Sequence, residues 1–377
     1  MLDAGFHAAR CRWAGADGSG RSLFRLPVRF PAITLCASSS RRLPAVSASL
    51  SPSLLRYARS LLARSRRLFW VLAKIMLPVM VLVQLAQLQG WIDALGRAFG
   101  PAMAWLALPP EAGLIWITTA SVGIYGGIAA MIGLSGQLAL TSGQLSALGA
   151  MMLFAHNLPV EQSIVRRAGV NFVSTGLLRI TVALLYGGLI AWSSRLTGIL
   201  DQPASFAWMH APTGAAGAAK ADDLWTWALT TTGSLVVTFL ILVLLLILLD
   251  LLERLGITRR ITVLLTPLLR FSGLEARAAP ITTVGVLLGL TYGGALIIEE
   301  SERRTFGPRT RFLALAWLCL SHALIEDTLL VLAVGANIWV VLVGRVAVTL
   351  LLIALLARWL GSSETPDAHA SGSAPAL

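Results

Sequence analysis

Long apolar stretches alternate with short polar ones along this chain, and the apolar stretches are continuous rather than one-sided. Residues 224–249 contain no Asp, Glu, Lys or Arg, and about 20 apolar residues suffice for a helix to cross the hydrocarbon core of a bilayer. Residues 112–160 form an uncharged run of 49, too long for one crossing, so this run must fold back. The turn-rich string Gly133-Leu134-Ser135-Gly136-Gln137 is the expected place. The pattern predicts spans over 68–91, 112–134, 138–158 and 168–193, with a segment 99–108 that is too short to cross. After a polar linker, 201–223, broken by Pro203, Pro212, Gly214 and Gly217, it predicts spans over 224–249, 278–298, 312–325 and 334–356, with a second short segment at 261–271. The expected fold is all-α. It is a polytopic helical membrane protein of two tandem repeats, 68–200 and 224–360, with about four spans and one short re-entrant or interfacial helix each.

Composition agrees: 56% of the 377 residues are hydrophobic and 13% are charged, about half the charged share of a soluble domain. Mean hydropathy is +0.77. The net charge of +12 rests almost wholly on Arg, since Lys occurs only at Lys74 and Lys220. On a membrane protein that excess belongs to cytoplasmic loops and lipid headgroups, so the lipid bilayer and not nucleic acid is the expected partner. Counting four spans per half puts the basic stretch Arg56–Arg67 and the loop Arg303–Arg311 on one side, read as cytoplasmic. Arg166, Arg167, Arg259 and Arg260 fall on the other side and oppose that reading. Richness in Gly and Arg with scarce Lys fits a GC-rich bacterial coding bias, which makes a bacterial inner membrane the expected location.

Residues 1–67 are rich in Ser and Arg and contain only Asp3 and Asp17 as acids. That is the composition of a transit peptide or of a disordered extension, and we expect the extension. Residues 361–377 read as a disordered tail. Cys11, Cys36 and Cys319 form neither a disulfide framework nor a C-x-x-C pair. The string Gly15 to Ser22 resembles a P-loop but lacks its Lys. No Ser–His–Asp order and no H-E-x-x-H occurs, so no enzymatic activity, cofactor or metal site is assigned.

The informative feature is an internal repeat. His156-Asn157-Leu158-Pro159-Val160-Glu161 aligns with His322-Ala323-Leu324-Ile325-Glu326-Asp327 at an offset of 166, and the same offset sets Gly169 on Gly335, Asn171 on Asn337 and Arg179 on Arg345. Only five His exist in the chain, so two in the same frame with a carboxylate and an Arg following is a signature of duplication. Tyr125-Gly126-Gly127 pairs with Tyr292-Gly293-Gly294 at an offset of 167, and Glu111 with Glu275 after a further gap.

An ionisable group at the bilayer centre costs about 2.5–3.5 kcal/mol, so each needs a partner or a polar cavity. His156, Glu161, His322, Glu326 and Asp327, with Asn171 and Asn337, are the candidate substrate or proton site at the repeat interface. Such a cluster can relay protons through His near neutral pH, or hold a divalent cation with mixed nitrogen and oxygen ligands. The competing reading is structural. Glu161 and Asp327 then cap broken helices or pair with Arg179, Arg345 or Arg166, with Glu111 and Glu275 as further ion-pair partners. Arg345 follows Asp327 by 18 residues, about 27 Å along one straight helix, so a direct pair requires a break. The Tyr-Gly-Gly strings serve either close packing or an unwound stretch.

Carried by Pro109-Pro110-Glu111-Ala112-Gly113, by Tyr125-Gly126-Gly127 and by the twice-seen His-x-Leu-x-x-Glu/Asp block with its Gly-x-Asn and Arg, the chain resembles the nucleoside recognition (Gate domain) membrane proteins. That module also occurs in the membrane part of ferrous-iron transporter B and in spore maturation membrane proteins. The resemblance covers about residues 70–200 and 225–358. It implies a two-module membrane transporter or solute-binding protein for nucleosides or another small polar solute, with ion coupling as an option and homo-oligomerisation left open. The spore maturation likeness implies the alternative, a non-transporting scaffold or assembly factor; divalent metal transport is the second alternative. Against the latter stand the lack of a GTPase domain and of any Cys but Cys319 in the matching spans.

Overall fold

The computed structural model describes residues 50–204, 224–302 and 306–361; residues 1–49, 205–223, 303–305 and 362–377 lie outside the described residues, among them Arg303, Arg304, most of the expected linker and the tail. The protein is helical, and the described residues hold only one isolated β-bridge, Thr141 with Pro203.

In the first half α1 covers Leu50–Leu88, α2 Trp91–Trp105, α3 Pro110–Val122, α4 Ile124–Leu134, α5 Ser142–Phe154, α6 Leu158–Arg167 and α7 Phe172–Thr197. The second half has α8 Leu224–Arg254, α9 Ile257–Phe271, α10 Ala278–Leu288, α11 Leu290–Glu302, α12 Pro308–Ser321, α13 Glu326–Ala333, a π-helical stretch Trp339–Gly344, and α14 Arg345–Trp359. Helix α1 starts well before residue 68, so residues 50–67 are not part of a disordered extension. Their Arg and Leu are good helix formers, and Arg64 pairs with Asp250 of α8 at 3.0 Å.

Backbone geometry recurs at the offset of 166. Gly90 and Gly256, both with φ 68°, precede α2 and α9, and each of these helices carries an internal proline, Pro101 and Pro267. Gly123 and Gly289 have φ of 113° and 104°, Asn157 and Ala323 of 48° and 46°, and Gly169 and Gly335 of 76° and 108°.

The predicted spans 112–134 and 278–298 are corrected by this geometry. Each is two helices folded back at a glycine in a backbone region that L side chains rarely adopt. The fold is tight: a Cβ built on Gly127 would fall 1.8 Å from Thr119 Oγ1, and one on Gly293 would fall 2.4 Å from Gly285 Cα. Eight residues along a straight helix would separate these groups by about 12 Å. The equivalent contacts pair Gly127 with Gly293 and Thr119 with Gly285. The sequence alignment of Tyr125 with Tyr292 is therefore one residue out of structural register.

Among the described residues four segments are long and apolar enough to cross a membrane, Phe172–Thr197, Ala228–Arg254, Pro308–Ala333 and Trp339–Trp359, the third interrupted between α12 and α13. The two interior helices are α5 and α12; nearly all of α5 and every residue of α12 from Leu313 on is buried, including Phe154 and Trp317. Helices α7 and α8 instead turn Leu177, Leu185, Leu189, Leu240 and Leu244 outward. A helix apolar on its outward face as well as its inward one suits lipid. The chain is a helical membrane protein, and its polar groups are gathered where α5 and α12 end.

Candidate functional site

Both interior helices stop at the same kind of break. Helix α5 ends at Phe154, His156 follows, Asn157 turns the chain left-handed, and α6 starts at Leu158 with Pro159 in its first turn. Helix α12 ends at Ser321, His322 follows, Ala323 turns the chain in the same way, and α13 starts at Glu326. Each break thus sets the carbonyl end of one helix beside the amide end of the next. The groups that gather there are complementary: Glu161 lies in the first turn of α6 and Glu326 and Asp327 in that of α13, where the helix dipole favours negative charge.

Left-handed backbone disfavours an L residue other than Asn by about 1–2 kcal/mol. At Ala323 no polar side chain or missing Cβ relieves it. Ala323→Gly is expected to stabilise the protein by about 0.5–1 kcal/mol after the greater chain entropy of Gly is subtracted, read as a higher midpoint in a thermal melt in detergent.

The two histidines meet across the halves. His156 Nε2 lies 3.0 Å from His322 Nε2. Each ring's other nitrogen faces a main-chain carbonyl one turn back, His156 Nδ1 to Met152 O at 3.1 Å and His322 Nδ1 to Leu318 O at 2.6 Å. A carbonyl oxygen can only accept, so both Nδ1 atoms carry the hydrogen and donate it. In the neutral rings both Nε2 atoms are then acceptors. Glu161 Oε1 lies 3.2 Å from His322 Nε2 and 3.3 Å from His156 Nε2. Asp327 Oδ2 lies 3.5 Å from His156 Nε2 and, although buried, has no hydrogen-bond partner. Two nitrogens and two carboxylate oxygens thus converge with no hydrogen of their own to share. The two histidine side chains are 7% and 4% exposed, so bulk water does not screen their mutual repulsion. What belongs among them is a positive charge.

Two buried arginines frame the cluster. Arg179, from α7, donates from Nε to Phe154 O at 2.7 Å, from Nη2 to His156 O at 2.9 Å and from Nη1 to Glu161 Oε2. Arg345, from α14, donates from Nε to Leu320 O at 2.9 Å and from Nη2 to Leu153 O at 3.2 Å and His322 O at 3.3 Å. Each guanidinium therefore closes the carbonyl end of an interrupted helix, where the dipole favours a cation. The halves differ beyond that: Arg179 engages a carboxylate, whereas Arg345 Nη1 is buried without a hydrogen-bond partner.

His156, Glu161, His322 and Asp327 come together as the sequence suggested, and Glu326 joins their border. Its carboxyl lies near the Tyr125 side chain, so a residue assigned to packing reaches across the halves. Asn171 and Asn337 are corrected. The Asn171 side chain accepts from the amides of Val173 and Ser174, and that of Asn337 accepts from the amide of Trp339. Both are caps of the following helix rather than members of the cluster. Glu275 accepts from the Thr310 hydroxyl, and Glu111 lies in the first turn of α3. Gly127, Gly293 and Gly294 serve close packing, Gly294 against Ile164 of α6. The side chain of Tyr292 lies outside the described residues. The approach of Tyr125 to Glu326 had no sequence signal, because both neighbourhoods recur in the other half and the repeat does not say which copy meets which.

Further contacts join the halves around the cluster, with Tyr186 donating to Val340 O at 2.9 Å and the Asn337 amide donating to Ser146 Oγ at 2.8 Å. No family model matches the chain. It is 28% identical over 298 residues, 77% of this chain and 90% of the relative, to a protein of Bacillus subtilis (strain 168) described as the uncharacterized membrane protein YvoD. No solved structure matches.

Proposed function

We propose that the protein binds a small polar or cationic solute at the cluster of His156, Glu161, His322 and Asp327 and moves it across the membrane. The observation that carries this reading is the meeting of four interrupted segments around buried acceptors. Helices α3 and α4, α5 and α6, α10 and α11, and α12 and α13 are each broken, and the last residues of α5 and α12 hold the two histidines against each other. Interrupted helices whose free ends face a site at the meeting of two halves are the usual construction of secondary transporters. The repeat in sequence, the recurrence of backbone geometry at one offset and the Gate-domain resemblance support a duplicated module. A bacterial inner membrane remains the location we propose.

Purified protein in detergent, screened by thermal shift against nucleosides, nucleobases and divalent cations, tests the reading. A ligand at a hundred times its dissociation constant should add about 2.7 kcal/mol to stability. The expected result is a hit that is lost in Glu161→Gln/Asp327→Asn and that wild-type protein accumulates in proteoliposomes. A flat screen, with the variants lowering the melting point and changing nothing else, overturns the reading in favour of a scaffold whose polar cluster holds its halves together.

A further inference from the structure

We infer that His156 Nε2 and His322 Nε2, with the carboxylates of Glu161 and Asp327, form a binding site for one divalent transition-metal ion of the zinc, cobalt and nickel type. This rests on the same cluster as the proposed transport and names what that cluster takes.

Distance is the first argument. Metal–nitrogen bonds of about 2.0–2.1 Å, when their two nitrogens are 3.0 Å apart, enclose an angle of about 95° at the ion. Carboxylate oxygens 3.2–3.5 Å from those nitrogens give angles of about 100–115° with similar bond lengths. These lie close to the tetrahedral value without rearrangement of the main chain. The ligand atoms of His156, His322 and Asp327 all fall within 4.8 Å of one another.

Tautomer is the second. A histidine that ligates through Nε2 characteristically donates its Nδ1 hydrogen to a carbonyl, which orients the ring and makes the ligating nitrogen more basic. Both rings do so, through Met152 O and Leu318 O. Glu161 is oriented likewise, since its Oε2 is taken by Arg179 and its Oε1 is left facing the histidines. The third is the count of acceptors. One proton shared between the two rings would supply a single hydrogen bond and leave Asp327 Oδ2 buried without one. A dication held by the two nitrogens lies within reach of the carboxylate oxygens that face them. Two imidazoles among the ligands select zinc-like ions over magnesium and calcium, which take oxygen.

Full-length protein in detergent, stripped with EDTA and titrated with Co²⁺ while its visible spectrum is recorded, tests the assignment. The expected result is one ion per chain with the intense absorption of tetrahedral cobalt, displaced by Zn²⁺ and not by Mg²⁺. His156→Ala and His322→Ala should each weaken binding by at least about 100-fold, and Asp327→Asn by about tenfold. Stoichiometric binding unchanged in both histidine variants, or a weak octahedral spectrum in wild-type protein, overturns the site. So does a wild-type protein that binds no cobalt, in which case the two rings share a proton. Because the wild-type spectrum reports coordination directly, the assignment does not depend on the variants folding. Cobalt bound without any flux in proteoliposomes keeps the metal site and removes transport; flux with no metal bound does the reverse.

Discussion

Replacing Arg179 by Met is expected to destabilise the protein by about 3–5 kcal/mol, and replacing Arg345 by Met by clearly less, although the two arginines hold equivalent places. Both side chains are fully buried. Losing Arg179 leaves the carbonyls of Phe154 and His156 without a donor and, more seriously, leaves Glu161 as a buried carboxylate whose counter-charge has gone. An orphaned buried charge is the costly outcome of breaking such a pair. Losing Arg345 removes hydrogen bonds to three carbonyls, of Leu320, Leu153 and His322, the last two long and shared by one nitrogen, at about 1 kcal/mol for each. It also removes a desolvated cation with one unpartnered nitrogen, which offsets part of that loss. Equilibrium unfolding of the two single variants, and of Glu161→Gln/Arg179→Met, checks the argument. The double variant should recover part of what Arg179→Met lost, because Gln no longer needs the charge. Equal losses at the two arginines, or no recovery in the double variant, would mean that the carbonyls and not Glu161 set the role of Arg179.

The histidines and carboxylates were legible because ionisable residues are rare in an apolar sequence and these recur in one frame. His156 and His322, Glu161 and Asp327, and Arg179 and Arg345 all keep the offset of 166, so the constellation could be named before any contact was known. Asn171 and Asn337 kept the same frame and misled, because a polar residue that starts a helix repeats as faithfully as one that binds a ligand; their partners are the amides of the next turn. The folding back at Gly123 and Gly289 was hidden for a different reason. Hydropathy reports how apolar a stretch is and not its direction, and the two arms of α3 and α4 are as apolar together as one span would be. Turn-forming residues within this uncharged run cluster at 133–137. Register within the repeat failed there too, since matching Tyr125 to Tyr292 followed side-chain identity, whereas the backbone pivots at the glycines. Which half supplies which partner was not legible: that Glu161 faces His322 while Asp327 faces His156 depends on packing across the halves, where no sequence period reaches.

Gly293→Ala is expected to be the most damaging single methyl in the second half, costing about 3 kcal/mol or more, at or beyond the upper end of what an overpacked core residue costs. The reason lies in what the methyl would meet. A Cβ on Gly293 would fall 2.4 Å from Gly285 Cα and 2.9 Å from Leu318 Cδ1, and a Cβ on Gly285 would fall 2.7 Å from Gly293 Cα. Leu318 can turn aside. The Gly285 main chain cannot, because it belongs to the other arm of the same folded-back pair, joined through Gly289 only four residues away. To admit the methyl, α10 and α11 must open. That opening displaces α12, whose Leu318 contacts both glycines and whose Leu318 carbonyl accepts from His322 Nδ1. A packing change outside the cluster should therefore be read at the cluster, as a weaker Co²⁺ spectrum in the same preparation that shows a lowered melting point. Gly136→Ala makes the control, since nothing lies within 4 Å of the position a Cβ would take there; it should leave both measurements within about 0.5 kcal/mol of wild type. A Gly293→Ala protein that melts with wild type would mean that α10 and α11 separate readily, and that the close approach of their glycines is not what holds the second half together.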